Sequence, residues 1–489
     1  MNTINEVIIK YATEADASWG GAYGLFARII NRNHLKIGVE LGVAFGGHSE
    51  ALLKNTEVSR LYGIDPYRHF DEYDDPMNLP QDEFDELYLY TLNRLKPFGD
   101  RYIHIRKTSD SAISDIPNEI DFVYIDADHS YEGVARDLGL WFMKVKDGGI
   151  IGGHDYDHSS FPGVKKAVDE FFRRLGSEIH LEGEGVWWTI KQMPNISFIM
   201  PAYNCATTVA ESAESIMKTN LIQGDELVIT NDCSTDNTKE VLLKLQGKYP
   251  DRIIILNHSI NKGGAAARNT AVEHASNQLI FCLDSDNVLA PDSIQKLKKF
   301  FITSMADVAS FGELHYFKED TKKITHTWIF QKTLVLLADV LSNPVVPGSS
   351  GYYLFTKESW IRAGRYPEFA GALDAWGFGF RQVATGSRML ALPGSFYYHR
   401  CGHESYWMRD SKKPGLVSLV ALQIVIPFID RFYDRDVNYI MSKRGRRTWY
   451  NSIVKHPIRV KKDPSADLFA KNGIKKIAKK VYHKVRSMH

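Results

Sequence analysis

Hydrophobic positions fall in short continuous runs, each closed by polar residues and glycines. IGVEL (37–41), LYGI (61–64), DFVYI (121–125), GGIIGG (148–153), ISFIMPA (196–202), ELVIT (226–230), RIIIL (252–256) and LIFCL (279–283) are of this kind. Runs of four to eight apolar residues bounded by turn signals read as strands buried on both faces. Longer amphipathic stretches lie between them, so strands and helices alternate and predict open α/β sheets that bind ligands outside the strand ends. The pattern pauses at KQMPN (191–195) and restarts at Ile196, which predicts one domain over 1–191 and a second over 196–412. LVSLVALQIVIPFI (416–429) is too short to span a bilayer and holds Gln423 and Pro427, so a buried helix is expected there.

A chain of 489 residues needs more than one core, and 44% hydrophobic with 24% charged residues is ordinary for a soluble protein. The four cysteines have no CxxC spacing, which argues against a zinc site or disulfide framework and for a reducing cytoplasm. The net charge of +1 conceals a division. From Met441 to His489 there are 15 Lys and Arg and two Asp, a net +13 that leaves the rest at −12. Within the extension 413–489, Ile474, Ile477, Val481 and Val485 keep helical spacing among lysines, a pattern suited to an anionic membrane surface. Few aromatics there and an acidic body exclude nucleic acid as the expected partner.

The polar ends of the strands carry the candidate chemistry. Glu40, Gly42, Gly46 and Gly47 form a glycine-rich strand-to-helix turn, and Asp65 closes the next strand about 20 residues on, a spacing that suits a nucleoside. Asp126 and Asp155 end two further strands, with His129 and His154 near them in sequence. The order from Val39 to Tyr156 resembles class I S-adenosylmethionine-dependent methyltransferases, near the O-methyltransferase group with an acid-rich site. That resemblance implies a seven-stranded Rossmann-like sheet, with Glu40, Gly42 and Gly46 at the methionine and ribose. It also implies Asp65 on the ribose and Ser109 and Asp110 near the adenine. In the metal-dependent relatives strand-end acids hold Mg²⁺. Asp126, His154 and Asp155 are the expected ligands here, with His129 as general base.

In the second half, Asp284 and Asp286 end a strand in FCLDSDN, oxygen ligands of the kind that hold Mg²⁺ or Mn²⁺ together with substrate phosphates. Four strand ends in this order, from Ile196 to about Trp407, resemble inverting family 2 glycosyltransferases of the GT-A fold. The resemblance implies that Tyr203 and Asp232 grip the nucleobase, beside Pro201 and Asn204, with Arg268 near the nucleotide. Asp286, assisted by Asp284, would hold the metal on the diphosphate, and His399 or His403 would complete that shell. Asn231 stands where the family commonly has an acid, and Leu373-Asp374 where it has Glu-Asp. Asp374 is the expected base, and Trp376 and Gly377 after it favour an acceptor site. Gly348–Phe355 would form a loop and strand over the donor sugar.

The expected whole is a bifunctional enzyme of surface-polysaccharide assembly, using a UDP-sugar, a glycan or lipid-linked glycan acceptor, and S-adenosylmethionine. Its place is the cytoplasm, peripheral on the membrane. The rivals are a glycosyltransferase with a non-catalytic methyltransferase-like domain, and a non-enzymatic scaffold.

Overall fold

The computed structural model describes residues 4–71, 77–343, 346–347, 351–402 and 415–461. His403, the loop 348–350 and the basic stripe from Ile474 to Val485 lie outside the described residues. The chain divides into two compact units, Met1–Met193 and Pro194–His489.

In the first unit, strands Ile37–Leu41 (β1), Arg60–Ile64 (β2), Tyr102–Ile105 (β3), Ile120–Ile125 (β4), Val145–Gly153 (β5), His180–Leu181 (β6) and Trp187–Ile190 (β7) form one sheet. Its order is β3-β2-β1-β4-β5-β7-β6. The first five strands are parallel and β7 runs against β5. Helices Ile4–Arg32 (α1), Gly47–Asn55 (α2), Gln81–Leu95 (α3), Ser109–Ala112 (α4), Tyr131–Trp141 (α5) and Pro162–Leu175 (α6) connect or cover the strands. Trp187 is a core residue of β7, fully buried. The strand order reverses between β1 and β4, so a crevice is expected outside their carboxyl ends. There the two backbones touch. Gly42 has φ +81°, and a Cβ on it would lie 1.8 Å from the Asp126 carbonyl oxygen.

The second unit is a nine-stranded sheet. Its strands are Ile196–Ala202 (β8), Glu226–Asn231 (β9), Ile253–Asn257 (β10), Leu279–Cys282 (β11), Val288–Leu289 (β12), Val308–Phe317 (β13), Ile324–Ile329 (β14), Tyr353–Thr356 (β15) and Met389–Arg400 (β16). The order is β10-β9-β8-β11-β15-β13-β16-β12, with β14 added to β13. β10, β9, β8 and β11 are parallel, and β15 reverses direction beside β11. Helices Val209–Met217 (α7), Thr238–Lys248 (α8), Gly264–His274 (α9), Ser293–Thr303 (α10), Leu337–Val340 (α11), Lys357–Arg362 (α12) and Asp374–Ala384 (α13) follow in chain order.

Residues 415–461 belong to this unit's core. Val417, Ala421, Ile424, Trp449, Tyr450 and Ile458 share one buried cluster with Ile199, Phe378 and Phe380. The helix Leu416–Val425 buries one side only, leaving Leu416 and Leu419 40% and 45% exposed. Its buried side explains Gly377, where a Cβ would meet Ile424 at 2.8 Å and Pro367 at 3.0 Å. Trp376 is 3% exposed and packs edge-on against Tyr450 at 4.9 Å, so it is a core residue and not an open platform for an acceptor. Among the described residues no helix is long and apolar enough to cross a membrane.

Trp449 is wholly buried and its indole N–H donates to the Ser418 carbonyl at 3.0 Å. Trp449→Ala is expected to cost about 3–5 kcal/mol, read as a lowered urea midpoint for the second unit. An unchanged midpoint would show that this segment does not support the core.

Candidate functional site

In the first unit the strand-end acids divide between holding the backbone and forming a cluster. Asp65 accepts from the backbone N–H groups of Val43 at 3.0 Å, Ala44 at 3.1 Å and Tyr67 at 2.9 Å. It thereby fixes the turn after β1. A carboxylate offers about four acceptor positions, so one remains for a hydroxyl. Burial pushes the Asp65 carboxyl up, against those three amides. Glu40 is 1% exposed, bonded to His48 Nδ1 at 2.9 Å and to the Ser49 hydroxyl. It therefore anchors the start of α2 inside the fold instead of lining an open cleft. Gly46, with φ +75°, precedes that helix. Arg94 ties α3 to this turn, 2.9 Å from Asp16, 2.8 Å from Glu50 and 3.2 Å from the Phe45 carbonyl.

Ser109 and Asp110 open the short helix α4 beyond β3. The Ser109 hydroxyl donates to Asp137 at 2.5 Å, and Thr108 donates to Asp110 at 2.7 Å. Asp137 is wholly buried, and burial pushes its carboxyl up to about 6 against the pull of Arg136. Only one group among the described residues brings three ligand atoms within 4.8 Å of one another: Asp126, His154 and Asp155. His129 joins it, with Nε2 3.3 Å from Asp126 and 3.1 Å from Asp155. Its ring stacks on Phe161 at 4.2 Å. Burial would raise the Asp155 carboxyl, but hydrogen bonds from His129 and His154 hold it well below the usual range. His154 moves the other way: burial lowers it, and the bond to Asp155 with the charge of Asp126 outweighs that and raises it. His154 faces the cluster through Nδ1, 3.2 Å from Asp155.

In the second unit one guanidinium organises the strand ends. Arg268 on α9 donates to Asp284 at 2.6 Å and to Asp374 at 2.6 Å. It is 7% exposed. Asp374 opens α13 and also accepts from the Ala375 N–H at 2.6 Å. The other Asp284 oxygen accepts from the Tyr352 hydroxyl. Burial raises the Asp374 carboxyl, with Arg268 pulling it down and the Asp284 charge pushing it up. Neighbouring Asn269 saturates its amide, accepting from Trp360 and the Tyr366 N–H and donating to Tyr366 O and Glu368. That docks α9 against the turn leading to Asp374.

Arg400 holds the DSDN turn. Its N–H donates to Asn287 at 2.9 Å and its Nε to the Asp286 carbonyl at 2.9 Å. Its place next to His399 in YYHR was the only signal for it in the sequence. His399 lies beside Tyr352, ring centroids 5.8 Å apart.

Asp232 is 2% exposed and accepts from the N–H groups of Lys262 at 2.8 Å and Gly263 at 2.7 Å. It also pairs with His258 at 2.7 Å. Asp232 thus holds the glycine turn before α9, and its carboxylate is not displayed to a base in this conformation. Tyr203 is 45% exposed just beyond β8, after Pro201, while Asn204 exchanges hydrogen bonds with Thr235.

Two protein families match these units. The family described as a methyltransferase domain matches residues 35–156, and glycosyl transferase family 2 matches residues 197–362. The chain joins a methyltransferase domain to a family 2 glycosyltransferase domain. The second domain is GT-A-like. Chondroitin synthase of Pasteurella multocida is 40% identical over 174 residues, 33% of this chain and 17% of that protein. The UDP-Glc:alpha-D-GlcNAc-diphosphoundecaprenol beta-1,3-glucosyltransferase WfgD of Escherichia coli is 36% identical over 100 residues, 20% of this chain and 38% of that protein. The chain therefore spans well under half of either relative. Among solved structures, residues 1–349 of S. aureus TarS align with TM-score 0.41 and 18% identity, covering 53% of this chain and 72% of that one.

Arg268 is the test of the glycosyltransferase geometry. A lysine presents one point charge and cannot bridge Asp284 and Asp374 through two nitrogens. Arg268→Lys is expected to lower stability by about 3 kcal/mol in denaturant unfolding, since it leaves a buried carboxylate without its partner. A variant as stable as the native chain would show that the bridge is not needed.

Proposed function

We propose that the chain is a bifunctional enzyme of polysaccharide assembly. Its second domain transfers a sugar from a nucleotide sugar to a glycan hydroxyl with inversion. Its first domain methylates a hydroxyl, in our reading that of a sugar, from S-adenosylmethionine. The observation that carries the first activity is the Arg268 bridge, which joins the strand end of the Asp284/Asp286 pair to Asp374. The name of the WfgD relative supports UDP as the nucleotide and a lipid-linked acceptor, which would place the work at the cytoplasmic membrane surface.

In this reading Asp374 takes the proton of the acceptor hydroxyl as that oxygen attacks the anomeric carbon. Burial suits it to the task by raising its basicity, and Arg268 keeps the carboxylate ionised and aimed. Asp286 would hold a divalent metal, whose charge helps the diphosphate depart. Asp284, already bonded to Arg268 and Tyr352, assists through its remaining lone pairs. His399 is the candidate to complete this shell. Tyr203, exposed at the end of β8, is the nearest candidate to stack on the base, and Asp232 supports the turn beside it.

In the methyltransferase domain, Asp126, His154 and Asp155 would hold a divalent metal, their ligand atoms lying within 4.8 Å of one another. The metal would lower the acceptor hydroxyl pKa, and His129 would take the proton. S-adenosylmethionine would lie over the turn fixed by Asp65, near Gly42 and Gly46, with its adenine toward Ser109 and Asp110. The inward bonding of Glu40 favours one alternative, a non-catalytic first domain.

Asp374→Asn should keep UDP-sugar binding in calorimetry yet lose sugar transfer by at least about 100-fold, as expected for a general base. Asp286→Ala should instead lose metal-dependent donor binding. Since Asp374 works deprotonated and its carboxyl is raised, native turnover should increase with pH through a value above the ordinary carboxylate range. Near-native transfer by Asp374→Asn would remove the base assignment.

For the first domain, calorimetry should show S-adenosylmethionine binding that weakens on Asp65→Ala. Asp126→Ala and chelation should abolish methylation with the cofactor still bound. No cofactor binding by the native chain would leave the non-catalytic alternative, and full methylation in chelator would remove the metal.

A further inference from the structure

The end of β16 closes on the DSDN turn from far along the chain. Tyr397 and Tyr398 pair with Leu289 and Val288 of β12, directly after that turn. Arg400 follows, and its Nε donates to the Asp286 carbonyl at 2.9 Å while its backbone N–H donates to the Asn287 side chain at 2.9 Å. Its remaining nitrogens reach the other way. One donates to the Lys318 carbonyl at 2.8 Å, just past β13, and the other to Glu211 on α7. The guanidinium lies over the Phe317 ring, 4.5 Å from its centroid, and the side chain is only 11% exposed, so water competes little for these bonds. One planar group thus joins α7, the end of β13 and the peptide that carries Asp286.

Glu211 alone would satisfy an arginine whose task was to balance charge. The bond to the Asp286 carbonyl does something more, because it fixes the rotation of the peptide from which that carboxylate projects. The carboxylates of Asp284 and Asp286 are the hard oxygen donors that Mg²⁺ and Mn²⁺ take, and Mg²⁺ in particular demands near-ideal ligand geometry. Losing a group that orients a ligand from behind lowers metal affinity by about 10- to 100-fold. Charge acts in the opposite sense. A guanidinium near a divalent ion repels it, so removing that charge would by itself tighten the ion. The two effects of Arg400 therefore differ in sign, and a measurement can tell which one governs.

We propose that Arg400 is a positioning residue for the metal, holding the DSDN turn so that Asp286 meets the ion without rearrangement. The proposal rests on the glycosyltransferase reading and adds to it a residue that acts on the ion only through Asp286. Preset geometry lowers the ordering cost of binding, so Arg400 sets how much metal the donor site needs.

The experiment uses the full chain, Arg400→Met, Arg400→Lys and Trp449→Phe, the last loosening the core away from the turn. UDP is titrated by calorimetry over a series of Mn²⁺ concentrations, so metal bound elsewhere on the chain does not enter the readout. Native UDP binding should tighten with Mn²⁺. Arg400→Met should raise the Mn²⁺ needed for half of that gain by about tenfold or more, with UDP affinity in chelator unchanged. Arg400→Lys keeps the charge and stem but cannot reach Asp286, Lys318 and Glu211 together, and should shift the requirement the same way. Trp449→Phe should lower the thermal midpoint and leave the Mn²⁺ requirement native. An unchanged or lower requirement in Arg400→Met, or in Arg400→Lys should the first not fold, would overturn the role of Arg400. An equal shift in Trp449→Phe would do the same, since lost stability would then explain it. Native UDP binding that ignores Mn²⁺ overturns instead the metal reading of Asp286, and no UDP binding at all overturns the glycosyltransferase reading.

Discussion

The candidate site of the second unit depends on one buried cation. Arg268 reaches Asp284, 16 residues away, and Asp374, 106 residues away. Without it the buried Asp374 carboxylate would face the half-buried charge of Asp284 uncompensated, a repulsion that favours protonating one of them. Its burial costs solvation, and the two charge-assisted bonds offset that cost only while both acids stay in place. Helix α9, the DSDN strand end and the start of α13 are therefore fixed relative to one another by electrostatics. Asn269, one residue on, repeats the tie with neutral groups.

The same economy of polar groups explains the strand-end acids. Turns after parallel strands leave backbone N–H groups buried and unpaired, and each must find an acceptor. Asp65 and Asp232 each accept from at least two such amides, one in each unit. Glu40 does comparable work for the side chains that begin α2. A carboxylate at a strand end can thus shape the site's floor without being its ligand.

This is also where reading the sequence reaches its limit. The buried strands were legible because apolar runs closed by turn residues have few other meanings. The gathering of Asp126, His129, His154 and Asp155 followed from the ends of adjacent parallel strands β4 and β5. Side-chain direction was not legible. Nothing in GALDAWGFGFR shows that Trp376 turns into the core, because Tyr450, the ring packed against it, comes far later in the chain. Arg400 and Tyr352 were passed over for a similar reason, since their partners Asp286, Asn287 and Asp284 are distant in sequence.

The lateness of that covering segment bears on how the protein is made. Among the described residues, two buried clusters of the first unit, one around Phe26 and Phe122 and one around Tyr67 and Leu87, use nothing later than Trp188, so they can close while the ribosome is still at work on the rest. The second unit cannot do the same. Ile199, near its beginning, shares a core with Trp449 and Ile458, so its apolar interior stays open until those residues leave the exit tunnel. A prematurely stopped message would therefore yield a folded first unit joined to a sticky, unfinished second one. Chaperones should meet this protein through its glycosyltransferase half.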